Sequence, residues 1–393
     1  MGFILDYTKS NLKVSNCKMR KILFETHHLY YLPNFFPIVD EFRKRGNYDI
    51  QISMPQHINT RERNLFKSAC DNLDLSIINA EDEESRIKKI LSIQFDVIIV
   101  GNVGQLNKLV SGSTLAVMVY HGIGLKQSYY KDIDERINIR AVESESRYHK
   151  LIDKSDPGNL ALTGFTKLDP LHDQNENENQ ILKDKIGIKN DLPIILYAPT
   201  FYPTSFDNIY QELEFISAEY NIIIKLHNFS WFQRRFVYQS EIAHKLESNN
   251  ENIHLLDSSV FDILPYYKIA DVLISDISST LFEYLPLDRP IIQVECLKLR
   301  LRHRIFNKRF KRKLDLDRMQ ELDFVYKVEY PSELYRSIAF AIDNPEELSS
   351  ISLGSAETTL LKLTAAYGSF VNGGKLIVPI FLDRIQDLSL IHI

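Results

Sequence analysis

Short apolar runs of strand length alternate with amphipathic stretches along most of the chain. KILFE (21–25), YDIQISM (48–54), LDLSII (73–78), FDVIIVG (95–101) and TLAVMVYHG (114–122) are the first such runs. Each is rich in β-branched or aromatic residues, as strands are. Between them lie helical patterns: NFFPIVDEFRKRG (34–46), closed by Gly46; a polar stretch from about Ile58 to Asn72; and EDEESRIKKILSI (81–93). The last begins with acids and is expected to finish with bases, which suits the helix dipole. A further strand spans 159–163. The polar string DQNENENQ (173–180) then breaks the pattern and reads as a solvated linker. Beyond it the alternation resumes with strands in LPIILYAPT (192–200), NIIIKLH (221–227), NIHLL (252–256), Asp271–Ser275 and RPIIQV (289–294). The intervening helices are expected in DNIYQELEFISAEY (207–220), in WFQRRFVYQSEIAHKLES (231–248) as one piece, and in VFDILPYYKI (260–269), interrupted or kinked at Pro265.

Continuously apolar strands separated by helices imply parallel sheets covered on both faces. The expected fold class is therefore α/β, with two Rossmann-like halves: residues 1–172 and 185–350, followed by a segment 351–393. Ligands of such sheets bind outside the carboxyl ends of the strands. With two halves, the natural site is the cleft between them.

Composition narrows the picture modestly. The chain has 393 residues, 44% of them hydrophobic and 25% charged, enough for two sizeable cores. A net charge of -5 gives no whole-chain attraction to nucleic acid. Cys17, Cys70 and Cys296 are too scattered for a zinc or disulfide pattern. No apolar run approaches a membrane span, and the N-terminal apolar stretch is too short for a secretory signal. A cytoplasmic protein is the default expectation.

The strand ends carry the candidate chemistry. YHGIGLK (120–126) joins His121 and Lys126 to two glycines, Gly122 and Gly124, where backbone N–H groups can approach a ligand. The alternative is an ordinary glycine-containing turn. IIIKLHNF (222–229) puts His227 just past a strand, with Lys225 two residues earlier on the same face. Two histidines at cleft-facing ends of opposite halves suit proton transfer near neutral pH.

In SDISSTLFEY (275–284), Asp276, Ser278, Ser279 and Thr280 cluster where a strand ends and a helix starts. One such residue would serve as a cap. Four exceed that need and point to a phosphate cradle. Glu283 is placed either to close a capping box from Thr280 or to bond ligand hydroxyls. The run KLRLRHRIFNKRFKRK (298–313) has nine Lys/Arg and no acid. It reads either as a solvated face or as a contact for a polyanion or an anionic membrane surface through Arg300, Arg302, Arg304, Lys308 and Arg309. No RNA- or DNA-binding signature accompanies it, so no nucleic-acid partner is expected.

YHGIGLK, GFTKLDP, LYAPTF, IIKLH and ADVLISDISSTLFEYLPLDRPII, taken in order, resemble the CDP-glycerol glycerophosphotransferase family, the teichoic-acid-type primases and polymerases of GT-B fold. The likeness runs from about Val119 to Val294. Ile277 stands where that family usually has Tyr, Thr166-Lys167 replace a Pro-Arg pair, and YAPTFYP lacks the family's Arg. The resemblance implies catalytic roles for His121 and His227. It implies donor-binding roles for Ser278 and Ser279 and their neighbours Gly122, Lys126, Thr200, Asp276, Thr280 and Glu283. It also implies a C-terminal helix, 354–370, crossing back to the first half. The expected reaction moves glycerol phosphate, or a related polyol phosphate, from CDP-glycerol to a hydroxyl of a lipid-linked or polymeric acceptor in cell-surface polymer synthesis. His121 would act as general base and CMP would leave, on the inner face of the membrane. No cofactor or metal is expected, since no DxD-like motif lies near these strand ends. Two rivals stay open: a GT-B glycosyltransferase or epimerase using a nucleotide sugar, and a non-catalytic protein that binds polyanions through 298–313.

Overall fold

The computed structural model describes residues 19–123, 135–152, 159–173, 175–300, 322 and 324–345. Two sheets carry the fold. The first contains β1 (Arg20–Glu25), β2 (Tyr48–Ser53), β3 (Ser76–Ile77), β4 (Val97–Val100), β5 (Leu115–Val119), β6 (Ile139–Val142) and β7 (Leu160–Leu162), in the order β3-β2-β1-β4-β5-β6-β7. The second contains β8 (Ile194–Ala198), β9 (Asn221–Ile224), β10 (Ile253–Leu255), β11 (Val272–Ser275), β12 (Ile291–Val294) and β13 (Tyr326–Val328), in the order β10-β9-β8-β11-β12-β13. All neighbouring pairs are parallel. This is the two-sheet α/β architecture of a GT-B fold.

Burial explains why these runs became strands. All five residues of β8 and all four of β9, β11 and β12 are buried. Each sheet separates two apolar clusters. In the second sheet, Leu196, Ile223 and Leu273 face one layer while Ile195, Ile222, Ile274 and Ile292 face the other. Strand order reverses between β1 and β4 and again between β8 and β11. Crevices open at such switch points.

Four local expectations are corrected. The polar string after residue 173 is largely a helix, Glu176–Ile186, with no buried residue. Asn175 caps it by accepting from the Asn177 and Glu178 amides, acids open it, and lysines close it before Gly187 at φ 91°. Capping and charge order favour this helix, and the half-buried Leu182 and Ile186 pack it against the apolar cluster of the second sheet. LDLSII yields only the two-residue strand Ser76–Ile77. The expected helix at 231–248 is split into Phe229–Phe232 and Tyr238–Asn249. Pro265 begins the helix Leu264–Ile269 at its first turn, where a missing N–H costs nothing, and does not kink it. Residues 351–393 lie outside the described residues.

Candidate active site

Between the two sheets lies a cavity of about 150 Å³. The first half contributes Tyr30, His121 and Ile123. The second contributes Thr200, Lys225, His227, Ser278, Ser279, Thr280 and Glu283, and Lys167 lies on the same wall. The volume is below the roughly 300–1,000 Å³ of sites that swallow a drug-sized ligand. It encloses only part of a nucleotide-sized molecule.

His121 follows β5 and reaches across to β4. Its Nδ1 lies 2.8 Å from the Gly101 carbonyl oxygen. A carbonyl can only accept, so Nδ1 carries the proton and Nε2 keeps the lone pair of the neutral ring. Tyr31 stacks on the imidazole, with ring centroids 4.2 Å apart and planes 13° off parallel. Gly101 makes this packing possible: a Cβ there would sit 2.6 Å from Tyr31 Cδ2. Gly122, next in the chain, is buried.

His227 has the opposite tautomer. The Phe229 amide donates to its Nδ1 at 3.1 Å. Nδ1 is therefore the acceptor, and the ring proton of the neutral imidazole resides on Nε2. Phe201 and Phe229 pack against this ring at centroid distances of 4.8 and 5.0 Å. Tyr30 contacts both imidazoles, at 6.1 Å from His121 and 5.3 Å from His227.

The hydroxyl cluster divides its labour. Asp276 is fully buried after β11, and its carboxylate accepts from the amides of Thr200 (2.8 Å) and Ser205 (3.0 Å) and from the Ser205 hydroxyl (3.1 Å). Burial pushes its carboxyl up to about 6, against the pull of these bonds. Asp276 thus ties the loop after β8 to the loop after β11. Thr200 Oγ1 donates within that loop, to the Pro203 carbonyl. Ser275 and Thr280 share a hydroxyl–hydroxyl bond of 2.8 Å. Ser279 donates to Glu283 Oε1 at 2.9 Å. Ser278 Oγ accepts from the Thr280 amide at 3.3 Å, which leaves its own hydrogen for a ligand. The helix Thr280–Glu283 is a single turn.

Glu283 forms no capping box with Thr280. Its Oε2 takes a 2.6 Å ion pair from Lys167 and a 3.1 Å bond from Tyr267. A partner 116 residues away wins over the local cap.

Sequence reasoning nominated His121, His227, Gly122, Thr200, Asp276, Ser278, Ser279, Thr280 and Glu283; all but Gly122 and Asp276 line the cavity, and those two are buried beside lining residues. Arg300 sits elsewhere, its guanidinium 4.2 Å from the Tyr202 ring centroid and 5.3 Å from that of Phe236. Lys126, Arg302, Arg304, Lys308 and Arg309 lie outside the described residues. Lys167, Lys225 and Tyr30 were not nominated, though all three line the cavity. For Lys225 the signal was its strand phase with His227. Among the described residues, no three His, Cys, Asp or Glu side chains group as a metal site, and no helix is long and apolar enough to cross a membrane.

Comparison with known proteins locates this arrangement. Residues 130–295 match the family described as CDP-Glycerol:Poly(glycerophosphate) glycerophosphotransferase; the match covers His227 and the serine cluster but begins after His121. Over 142 residues the chain is 32% identical to the teichoic acid poly(glycerol phosphate) polymerase of Bacillus spizizenii, covering 33% of either chain. Over 284 residues it is 24% identical to the teichoic acid glycerol-phosphate primase of the same organism, covering 65% of this chain and 70% of that one. The chain thus spans only a third of the polymerase. Among solved structures it resembles the wall teichoic acid polymerase TagF, with a TM-score of 0.62 and 16% identity over 93% of this chain and 86% of that chain; this likeness shows the fold.

Proposed function

We propose, from the premise that the chain belongs through residues 130–295 to the CDP-glycerol glycerophosphotransferase family, that it is a transferase of cell-surface polymer synthesis. It moves glycerol phosphate, or a related polyol phosphate, from a CDP-linked donor to a hydroxyl of a lipid-linked or polymeric acceptor. One observation supports this reading above the others. The cleft holds two imidazoles of opposite tautomer, a base at His121 Nε2 and a donor at His227 Nε2, beside the free hydroxyl hydrogen of Ser278.

The first half then serves the acceptor and the second the donor. The acceptor hydroxyl gives its proton to His121 Nε2 while its oxygen attacks the phosphorus bonded to the polyol. The phosphoanhydride bond breaks and CMP leaves with the bridging oxygen. The growing negative charge meets the His227 Nε2–H and the Ser278 hydroxyl, both fixed before reaction, which is where such donors act best. Asp276 and Glu283 work indirectly, by holding the loops that carry Thr200 and Ser279. The basic run from Arg300 onward is read as the contact to an anionic membrane surface on the cytoplasmic side.

The test is product analysis by mass spectrometry after incubation with CDP-glycerol, CDP-ribitol and UDP-sugars, each with a panel of lipid-linked acceptors. Polyol phosphate adducts and CMP are expected. His121→Ala should lower turnover by roughly 10²–10⁴-fold while leaving donor affinity near that of the parent. Consumption of a UDP-sugar in place of the CDP-polyols would overturn the reading.

A further inference from the structure

We propose that the Lys225 ammonium binds the donor's diphosphate and is the counter-charge that the cleft holds ready for it. The inference rests on the transferase reading above and adds a residue that neither the tautomers nor the hydroxyl cluster includes.

Three observations carry it. Lys225 is only 8% exposed, yet it borders the cavity. Its Nζ makes one hydrogen bond, 3.2 Å to the carbonyl of its chain neighbour Leu226, and no ion pair among the described residues. The other lysine of the cleft, Lys167, is already neutralised by Glu283 at 2.6 Å. Burying an ammonium without an anion is unfavourable, and native structures rarely tolerate it. A fixed cation with unspent donors, lining the same cavity as His227 and the serine cluster, is complementary to a ligand that brings its own negative charge. A diphosphate supplies it.

The surroundings agree. Lys167 repels the ammonium, while Asp262 and Asp257 attract it from beyond ion-pairing distance. Glu283 faces the same cavity but is held by Lys167, Tyr267 and Ser279, and the imidazoles of His121 and His227 and the Tyr30 phenol are the remaining titratable groups of the described lining. Burial, more than any of these, pulls the Lys225 ammonium down to about 8. An arriving anion would reverse that pull.

Calorimetric titration of the whole chain with CDP and with CMP tests the assignment. Parent protein is expected to bind CDP, and Lys225→Met to lose roughly 10- to 100-fold of that affinity, the worth of one charge-assisted bond. CMP, which lacks the second phosphate, should lose less than about 3-fold. A second measurement needs no variant. CDP affinity of the parent should fall as pH rises above about 8, where a lysine depressed this far sheds its proton while the phosphates stay ionised. Lys225→Arg should bind CDP without that alkaline fall, because guanidinium stays charged. Lys225→Met should melt no lower than the parent, which separates lost binding from lost folding. Unchanged CDP affinity in Lys225→Met, equal losses for CDP and CMP, or a flat parent pH profile would each overturn the Lys225 assignment alone. A parent that binds neither nucleotide would sink the transferase reading and this inference with it.

Discussion

The Lys167–Glu283 pair offers the sharpest test of how the serine loop is held. The two side chains are 11% and 2% exposed and meet at 2.6 Å. Lys167→Met removes the cation and strands a buried carboxylate that retains only the Tyr267 and Ser279 hydroxyls. Breaking a buried pair from one side costs about 3–5 kcal/mol. The two remaining donors place this case near the lower end, at about 3 kcal/mol. Glu283→Leu leaves the opposite charge unpaired and should cost a similar amount. The double variant buries no net charge. Its main loss is the Tyr267 hydroxyl, in a residue with no exposed surface, worth about 1–3 kcal/mol. Since the singles together far exceed the double, the cycle should give a coupling of about 3 kcal/mol. Urea unfolding of the four proteins, compared by midpoint at constant slope, measures it. A cost below about 1 kcal/mol for Lys167→Met, or additivity within about 0.5 kcal/mol, would refute the claim that this pair is desolvated.

Two further outcomes follow from the first half. His27 has both ring nitrogens buried without a hydrogen-bond partner among the described residues, and burial, aided by repulsion from His28, lowers it to about 4. Below its ordinary value of 6.5 the unfolded chain takes up a proton that the folded chain refuses, so stability should fall as pH drops from about 6.5 to about 4, by at most about 3 kcal/mol. Asp276, raised to about 6, contributes in the opposite sense over much of that window, so the measurement is the difference in urea midpoint between parent and His27→Phe across pH; equal slopes would refute it. Gly104 has φ +47°, and a Cβ there would lie 1.8 Å from His27 Nε2. Gly104→Ala should therefore destabilise by more than about 1 kcal/mol, the usual scale for strain at such a position, and a neutral effect in thermal melting would contradict the packing.

The sequence disclosed the strands better than their neighbours. Apolar runs such as IILYA and NIII are buried on both faces, and their short unbroken length and β-branched content mark them. The order β3-β2-β1-β4 cannot be read from any one run, because it depends on which crossover each helix makes. The string DQNENENQ misled because polarity was taken for irregularity, whereas it is the capped, solvated start of a helix whose later residues Leu182 and Ile186 reach the core. At the site, the residue types were legible and their partners were not. Glu283 looked like a local cap but bonds Lys167 across 116 positions, and Ser279 is drawn into that network. The tautomers of His121 and His227 depend on a carbonyl at Gly101 and an amide at Phe229, backbone groups that have no signature in residue type.

Tyr30 sets a limit on traffic through the cleft. Its ring touches an imidazole from each half, so the separation of the two imidazoles cannot exceed the sum of those contacts, 6.1 and 5.3 Å. The phenol therefore borders both imidazoles in the lining of the cavity. On the proposed reading, a reactant that reaches both imidazoles passes beside this ring and takes it as one wall of its own berth.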